Sequence, residues 1–471
     1  MEMKAALYIG AIAAVALIAG LAVYSGTHLK GGEERDNGPG IVAGLIMGTL
    51  VGGSSTVGTA QLAYQFGMAA WWFTLGAGIA CLILATAYIR PLRCSGCTTL
   101  VGILRREYGP QVGMAASLLN ALGTFINILS QLLAASAVVL VIWPDAGAKW
   151  PVTLSAAAMA LYVVFGGTRG AGIAGLLKLA LLYAAMLLCG GLALRLSGGA
   201  AELLAAVRGF CENTGVDFFS LFARGAGEDL GACLSLVLGV LTTQTYAQAV
   251  LTARSDRAAK EGSLIAAFMI PPIGICGILV GLYMRSVTDP AIFDSKTALT
   301  QFALENLPPL AGGVVLGTLF IASVGTGAGL ALGISSIVRC DVLPRLIKRE
   351  PGKSVGQLII VAVLASACVL SLGPIGDMIL NFAFMSMGLR GAVVFVPLCC
   401  ALWLPGRIRW RYALASVVVS PVLVLVFGVF FSSVLPFDPL FIGVLCSLCI
   451  MGIGLLKGRG TSSLESGCCG Q

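Results

Sequence analysis

Apolar stretches of about 20 residues, enough helix to cross roughly 30 Å of hydrocarbon, recur from near the N-terminus to about residue 456. A chain built that way buries its backbone in lipid. The charged share is 11%, under half that of an ordinary soluble domain, and the mean hydropathy is +0.97. A water-soluble globule is excluded. The 62 glycines, about 13% of the chain, suit close helix packing and interrupted helices in a bilayer. The fold class expected is an all-α polytopic membrane protein. The net charge of +8 would suggest nucleic acid in a soluble protein, but here basic residues must first be sorted by membrane side. No nucleic-acid partner is implied.

Apolar runs bounded by charges or Gly/Pro clusters predict thirteen spans, near 5–25, 40–66, 69–89, 112–143, 151–166, 172–194, 231–253, 262–284, 311–338, 356–372, 378–404, 412–433 and 437–456. The first run follows a single basic residue, Lys4, and lacks a small-residue cleavage site, so it reads as a retained span. Alternate loops then hold twenty Lys and Arg on one side and seven on the other, with Lys178 and Arg390 inside spans. This bias predicts a multi-pass protein of the cytoplasmic membrane, with the N-terminus outside and the C-terminus in the cytoplasm. Partners expected from this reading are the lipid bilayer and a small solute, with no obligate protein partner implied.

The fifteen cysteines fall mostly inside apolar runs, as at Cys399, Cys400, Cys446 and Cys449, where Cys acts as a small hydrophobe. Cys94 and Cys97 have metal or redox spacing but lie alone, and His28 is the chain's one histidine. Cys468 and Cys469 could be acylated, though a chain of thirteen spans needs no further anchor.

Two segments break the Leu/Val pattern. VGGSSTVGTA, from Val51 to Ala60, puts a glycine and hydroxyl cluster at bilayer depth in the second span. The ninth span repeats the device with ASVGTGAG, from Ala322 to Gly329. Unwound helices of transporters expose backbone carbonyls toward an ion or solute at the midplane, so both spans are expected to be broken around a site.

With these clusters in place, five stretches resemble the sodium:solute symporter family, in the family's order. They are GSSTVGTAQLAYQFG from Gly53 to Gly67 followed by Trp71 and Trp72, RREYG from Arg105 to Gly109, FGGTRG from Phe165 to Gly170, QTYAQAVLTAR from Gln244 to Arg254, and Ile321 through Asp341. The resemblance spans nearly the whole chain. It implies a LeuT-like 5+5 inverted-repeat core with peripheral helices, organised as a peripheral helix in 1–30, a first repeat in 40–196, a second in 231–404, two peripheral helices in 410–456 and a tail in 457–471. It also implies Na+ as the coupling ion. The matching ligand positions are Ser54, Val57 and Ala322 through backbone carbonyls, together with Gly325 and Thr326. Gly325 stands where the family usually has a hydroxyl, so the set is one ligand short for a hard cation that takes about five or six oxygens. Thr56 and Gly175 stand where the family often carries acids. Lys178, about one turn from Gly175, could place an ammonium where sodium would sit, with H+ as the alternative coupling ion; the bland reading is snorkelling to the surface.

For the solute, the resemblance points to Ser55, Gln61, Gln244 and Tyr246 near a central pocket. Arg390 lies midway along the eleventh span, where a fork-shaped cation with no intramembrane acid to neutralise it suits an anionic solute such as a carboxylate or amino acid. The function expected is cation-coupled uptake of a small organic solute by alternating access. An enzyme lacks the nucleophile, metal cluster or paired acids it would need, while a channel or a sensor is the remaining alternative.

Overall fold

The computed structural model describes residues 2–28, 37–147, 149–166, 171–339, 343, 353–373, 378–431 and 435–458. Residues 167–170, Asp341 and the Cys468 and Cys469 pair, all invoked above, lie outside the described residues. The fold is all-helical. In chain order the helices are α1 Glu2–His28, α2 Pro39–Leu50, α3 Thr59–Phe66, α4 Trp72–Ile83, α5 Ile89–Cys94, α6 Leu100–Tyr108, α7 Pro110–Ile142, α8 Lys149–Gly166, α9 Ala171–Leu196, α10 Ala200–Thr214 and α11 Ala226–Thr242. They continue as α12 Gln244–Leu251, α13 Asp256–Val287, α14 Ala298–Asn306, α15 Pro309–Ile337, α16 Lys353–Ser371, α17 Ile379–Trp403, α18 Trp410–Phe430 and α19 Leu440–Leu456. Helices are the expected solution, since lipid offers no partner for a free N–H or C=O.

Seven stretches of the described residues are helical, long and apolar enough to cross a membrane alone, and an eighth crosses if α11 and α12 form one bent span. Four shorter apolar helices, within α1, α2, α16 and α19, coincide with further expected spans. The second expected span is short because it is broken. Val51 turns extended after α2 (φ −89°, ψ 102°), Gly52 and Gly53 follow, and a π turn over Ser54–Gly58 leads into α3. Gly67, at φ +60°, ends α3 where the chain backs against the Phe218 backbone, a conformation and an approach that only glycine combines.

The ninth span corrects the reading of its glycines: α15 runs as α-helix through all of Ala322 to Gly329. Its hydroxyls fold back onto their own helix, Ser323 to the Leu319 carbonyl and Thr326 to that of Ala322, both at 2.9 Å, so no backbone group is released. Its glycines serve contact. Gly313 and Gly317 lie against the α1 carbonyls of Leu7 and Ala11, and a Cβ on Gly327 would meet Met159 Sδ at 2.7 Å. The second break falls instead at Thr243, where α11 and α12 meet at 47° with an extended residue between them (φ −88°, ψ 127°). No Gly or Pro marks it. Thr242 and Thr243 each donate their hydroxyl to a carbonyl four residues back, at 2.6 Å.

Candidate ion and solute site

The first break frees the Gly48 carbonyl. In a continuous helix the Gly52 N–H would donate to Gly48 O; here it donates to Ser55 Oγ at 2.9 Å, and Ser55 Oγ donates back to Gly52 O at 3.0 Å. Gly48 O is left facing α9. Lys178 Nζ takes it at 2.7 Å and donates also to Thr326 Oγ1 at 3.1 Å. Lys178 is 6% exposed, so its ammonium is held within the bundle rather than snorkelling. The break reaches α15 because Gly52 has no side chain: a Cβ there would meet Thr326 Oγ1 at 2.8 Å and Gln131 Oε1 at 3.1 Å.

The structure thus brings together Lys178, Thr326 and, through Thr326, Ala322, with Gly48 as the carbonyl that meets them. Ser54 faces another way. Its hydroxyl pairs with Ser130 Oγ and accepts from Gln131 Nε2, each at 2.8 Å, while Val57 is buried in the π turn. At Gly325 a Cβ would stand 3.6 Å from Tyr162 Oη, an ordinary contact, so the missing hydroxyl is not excluded by space. Gly48 escaped the sequence reading because a backbone carbonyl leaves no mark in residue type. Carbonyl and hydroxyl oxygens with no carboxylate among them are the kind a monovalent cation takes. Two of them, Gly48 O and Thr326 Oγ1, hold the Lys178 ammonium.

The residues expected near a solute are distributed over the bundle. Ser55 closes the break on itself, as above. Gln61, 1% exposed, accepts the Ile379 N–H at 3.0 Å, at the head of α17. Gln244 binds the α5–α6 connection, accepting from the Leu100 N–H at 2.8 Å and donating to Thr98 O at 3.1 Å. Tyr246, 3% exposed, stands beside Thr49 and within electrostatic reach of Arg390. Arg390 sits eleven residues along α17 from the Gln61 contact, roughly 16 Å at the helical rise. It is 1% exposed. Its guanidinium donates to Thr243 Oγ1 at 2.9 Å, to Ser386 O and Oγ at 3.2 and 3.1 Å, and to Met387 Sδ at 3.1 Å. Arg390 therefore meets the second break, as Lys178 meets the first.

Both ends of the bundle are tied. At one end Tyr64 Oη pairs with Thr288 Oγ1 at 2.9 Å, and the Arg285 guanidinium lies 5.3 Å from the Tyr64 ring and 5.8 Å from that of Phe218. At the other, Arg93 pairs with Asp256 and donates to the carbonyls of Val250 and Ala253 at 3.0 and 2.8 Å. A cavity of about 420 Å3 between α11, α17, α18 and α19, lined by Arg224, Glu228 and Asp438 among others, includes no residue of either break.

Residues 35–427 match the sodium:solute symporter family. The chain is similar to high-affinity choline transporter 1 of Caenorhabditis elegans, 25% identical over 456 residues, covering 88% of this chain and 76% of the relative. Among solved structures it resembles a Na+-coupled sialic acid symporter in its substrate-bound outward-open state, with TM-score 0.74 at 18% identity over 96% of this chain and 97% of that one. It also resembles Mhp1, a nucleobase-cation-symport-1 family transporter in a closed conformation with bromovinylhydantoin bound, with TM-score 0.56 at 12% identity over 91% and 95% of the two chains. The fold is LeuT-like.

Proposed function

Since the chain belongs to the sodium:solute symporter family, a family of membrane transporters and not of enzymes, we propose that it takes up a small organic solute by alternating access between its two broken spans. Cation-coupled solute uptake follows from the family, which supports Na+ as the coupling ion. The observation that carries the alternating-access reading is the pair of breaks, at Val51–Gly53 and at Thr243, each inside the buried bundle and each met by a cationic side chain. Discontinuous helices of this kind bind ions and solutes at the midplane and let one half of the core rock against the other. We take 40–196 and 231–404 as the two repeats, with the N-terminus outside and the C-terminus in the cytoplasm of a cytoplasmic membrane.

The solute reading extends to charge. A carboxylate or amino acid would draw on Arg390 only when the guanidinium leaves Thr243 and Ser386, so the anionic class rests on that exchange occurring in the transport cycle. The test is uptake into proteoliposomes under imposed sodium, proton and voltage gradients, with radiolabelled choline, sialic acid and amino acids as the first panel. Accumulation of one solute against its gradient supports the proposal. Downhill conductance alone would show a channel and overturn it.

A further inference from the structure

Lys178 and Arg390 occupy matching places in the two halves of the fold. Counting spans from each break, with the short helices of a span taken together, Lys178 lies on the fifth of the first half, α9, and Arg390 on the fifth of the second, α17. Lys178 donates to Gly48, in the last turn before the first break, and to Thr326 on α15, the third span of the other half. Arg390 donates to Thr243, at the second break, and its Cγ lies where a Cβ on Gly123 would meet it at 2.7 Å; Gly123 is on α7, the third span of the other half. Each cation thus stands at the C-terminal end of a half-helix, where unpaired carbonyls and the macrodipole favour positive charge. Among the described residues neither is hydrogen-bonded to a carboxylate, and the buried acid there, Asp229, is held by Arg224.

From this arrangement we infer that the Lys178 ammonium is the resident cation of the Gly48–Thr326 site, so that a sodium ion gains these oxygens only where Lys178 is absent. Gly48 O and Thr326 Oγ1 cannot serve both, because two like charges within a few ångströms in a bundle that excludes water repel strongly. A side-chain ammonium also differs from a free ion in what it can do. It is tethered to α9 and joins α9, α2 and α15 by hydrogen bonds, but it cannot leave with the solute. This inference rests on the transporter reading only for its consequence; as a statement about binding it stands on the geometry.

The experiment is equilibrium binding of 22Na+ to the purified full-length protein in detergent, free of solute. Lys178→Met is expected to bind sodium about tenfold or more tightly than the wild-type chain, the scale set by removing a competing charge-assisted hydrogen bond. The gain should vanish when Thr326→Val is added, since that removes the shared hydroxyl. Lys178→Gln serves as the second variant, nearer to lysine in polarity, and should show the same direction should the methionine variant fail to fold. Lys178→Arg, which keeps a cation in place, should bind sodium no better than wild type. Equal sodium affinity in wild type and the neutral variants, no binding in any of them, or a gain that survives Thr326→Val would each overturn the inference. Loss of solute uptake with the sodium-binding pattern intact would bear on the transporter reading alone.

Discussion

Lys178, Asp229 and Arg390 are the charged residues that the described structure buries, and each is satisfied differently. Asp229 has an ion partner, Arg224, at 2.6 Å, and accepts the Arg224 backbone N–H at 3.0 Å. Arg390 has four hydrogen bonds to neutral groups instead, which makes it a cross-brace between α17 and the second break. Replacing Arg390 with Met is expected to lower stability by about 1–3 kcal/mol, the cost of leaving buried polar partners short of a bond. Thermal unfolding in detergent reads this; an unchanged melting temperature with uptake lost would place Arg390 on the solute instead. Gly53 gives a second residue-level prediction. A Cβ there would collide with Ala134 and Ser323, so Gly53→Ala should destabilise by roughly 1–3 kcal/mol through overpacking and displace the break from α15. A variant as stable and as active as wild type would show that the helices give way freely.

At the scale of elements, glycine content proved an ambiguous guide. The cluster after Val51 does open its helix, because Gly52 and Gly53 can be packed against while Ser55 recaptures the released amide. The equally glycine-rich stretch in α15 stays helical, its hydroxyls bonded within the helix and its glycines turned to neighbours. Composition is alike in the two; the surroundings differ. Gly313 and Gly317 illustrate the packing use, since their bare faces admit the α1 backbone. Gly313→Val should push α1 off α15, read as faster maleimide labelling of a cysteine placed at the buried Ala14. Labelling as slow as in the unsubstituted background would mean that α1 is held by other contacts. The bend at Thr243 is the converse case, an interruption written with two threonines and a glutamine and no helix breaker. Its nearest sequence signal is polarity at mid-span, in Thr242, Thr243 and Gln244.

For the whole molecule, the excess of basic residues on one set of loops predicts which end faces the cytoplasm. Cys94 is exposed at that end, beside Arg93, so in a variant keeping it as the reactive thiol an impermeant maleimide should label inside-out vesicles and spare right-side-out ones. The reverse pattern would invert the orientation. The ties at the two ends should alternate during transport. Removing Arg285 from between Tyr64 and Phe218 should raise the rate at which a cysteine at Gln61 is labelled from the outer side. Labelling no faster than in the parent would separate Arg285 from closure of that end.

The amino-acid sequence by itself determined that this chain is a polytopic helical membrane protein of a symporter family, that its second span breaks after Val51, and that Lys178 and Arg390 are anomalous. Each of these is written in side-chain hydropathy and charge, which act locally and can be read residue by residue. Only the tertiary structure decided which oxygens those cations meet, that α15 stays whole, and that the second break falls at Thr243. The physical reason is that the deciding groups are backbone carbonyls and packing faces. A carbonyl such as that of Gly48 is the same in every residue type, and whether it is free, and what reaches it, depends on helices more than a hundred positions away in the chain.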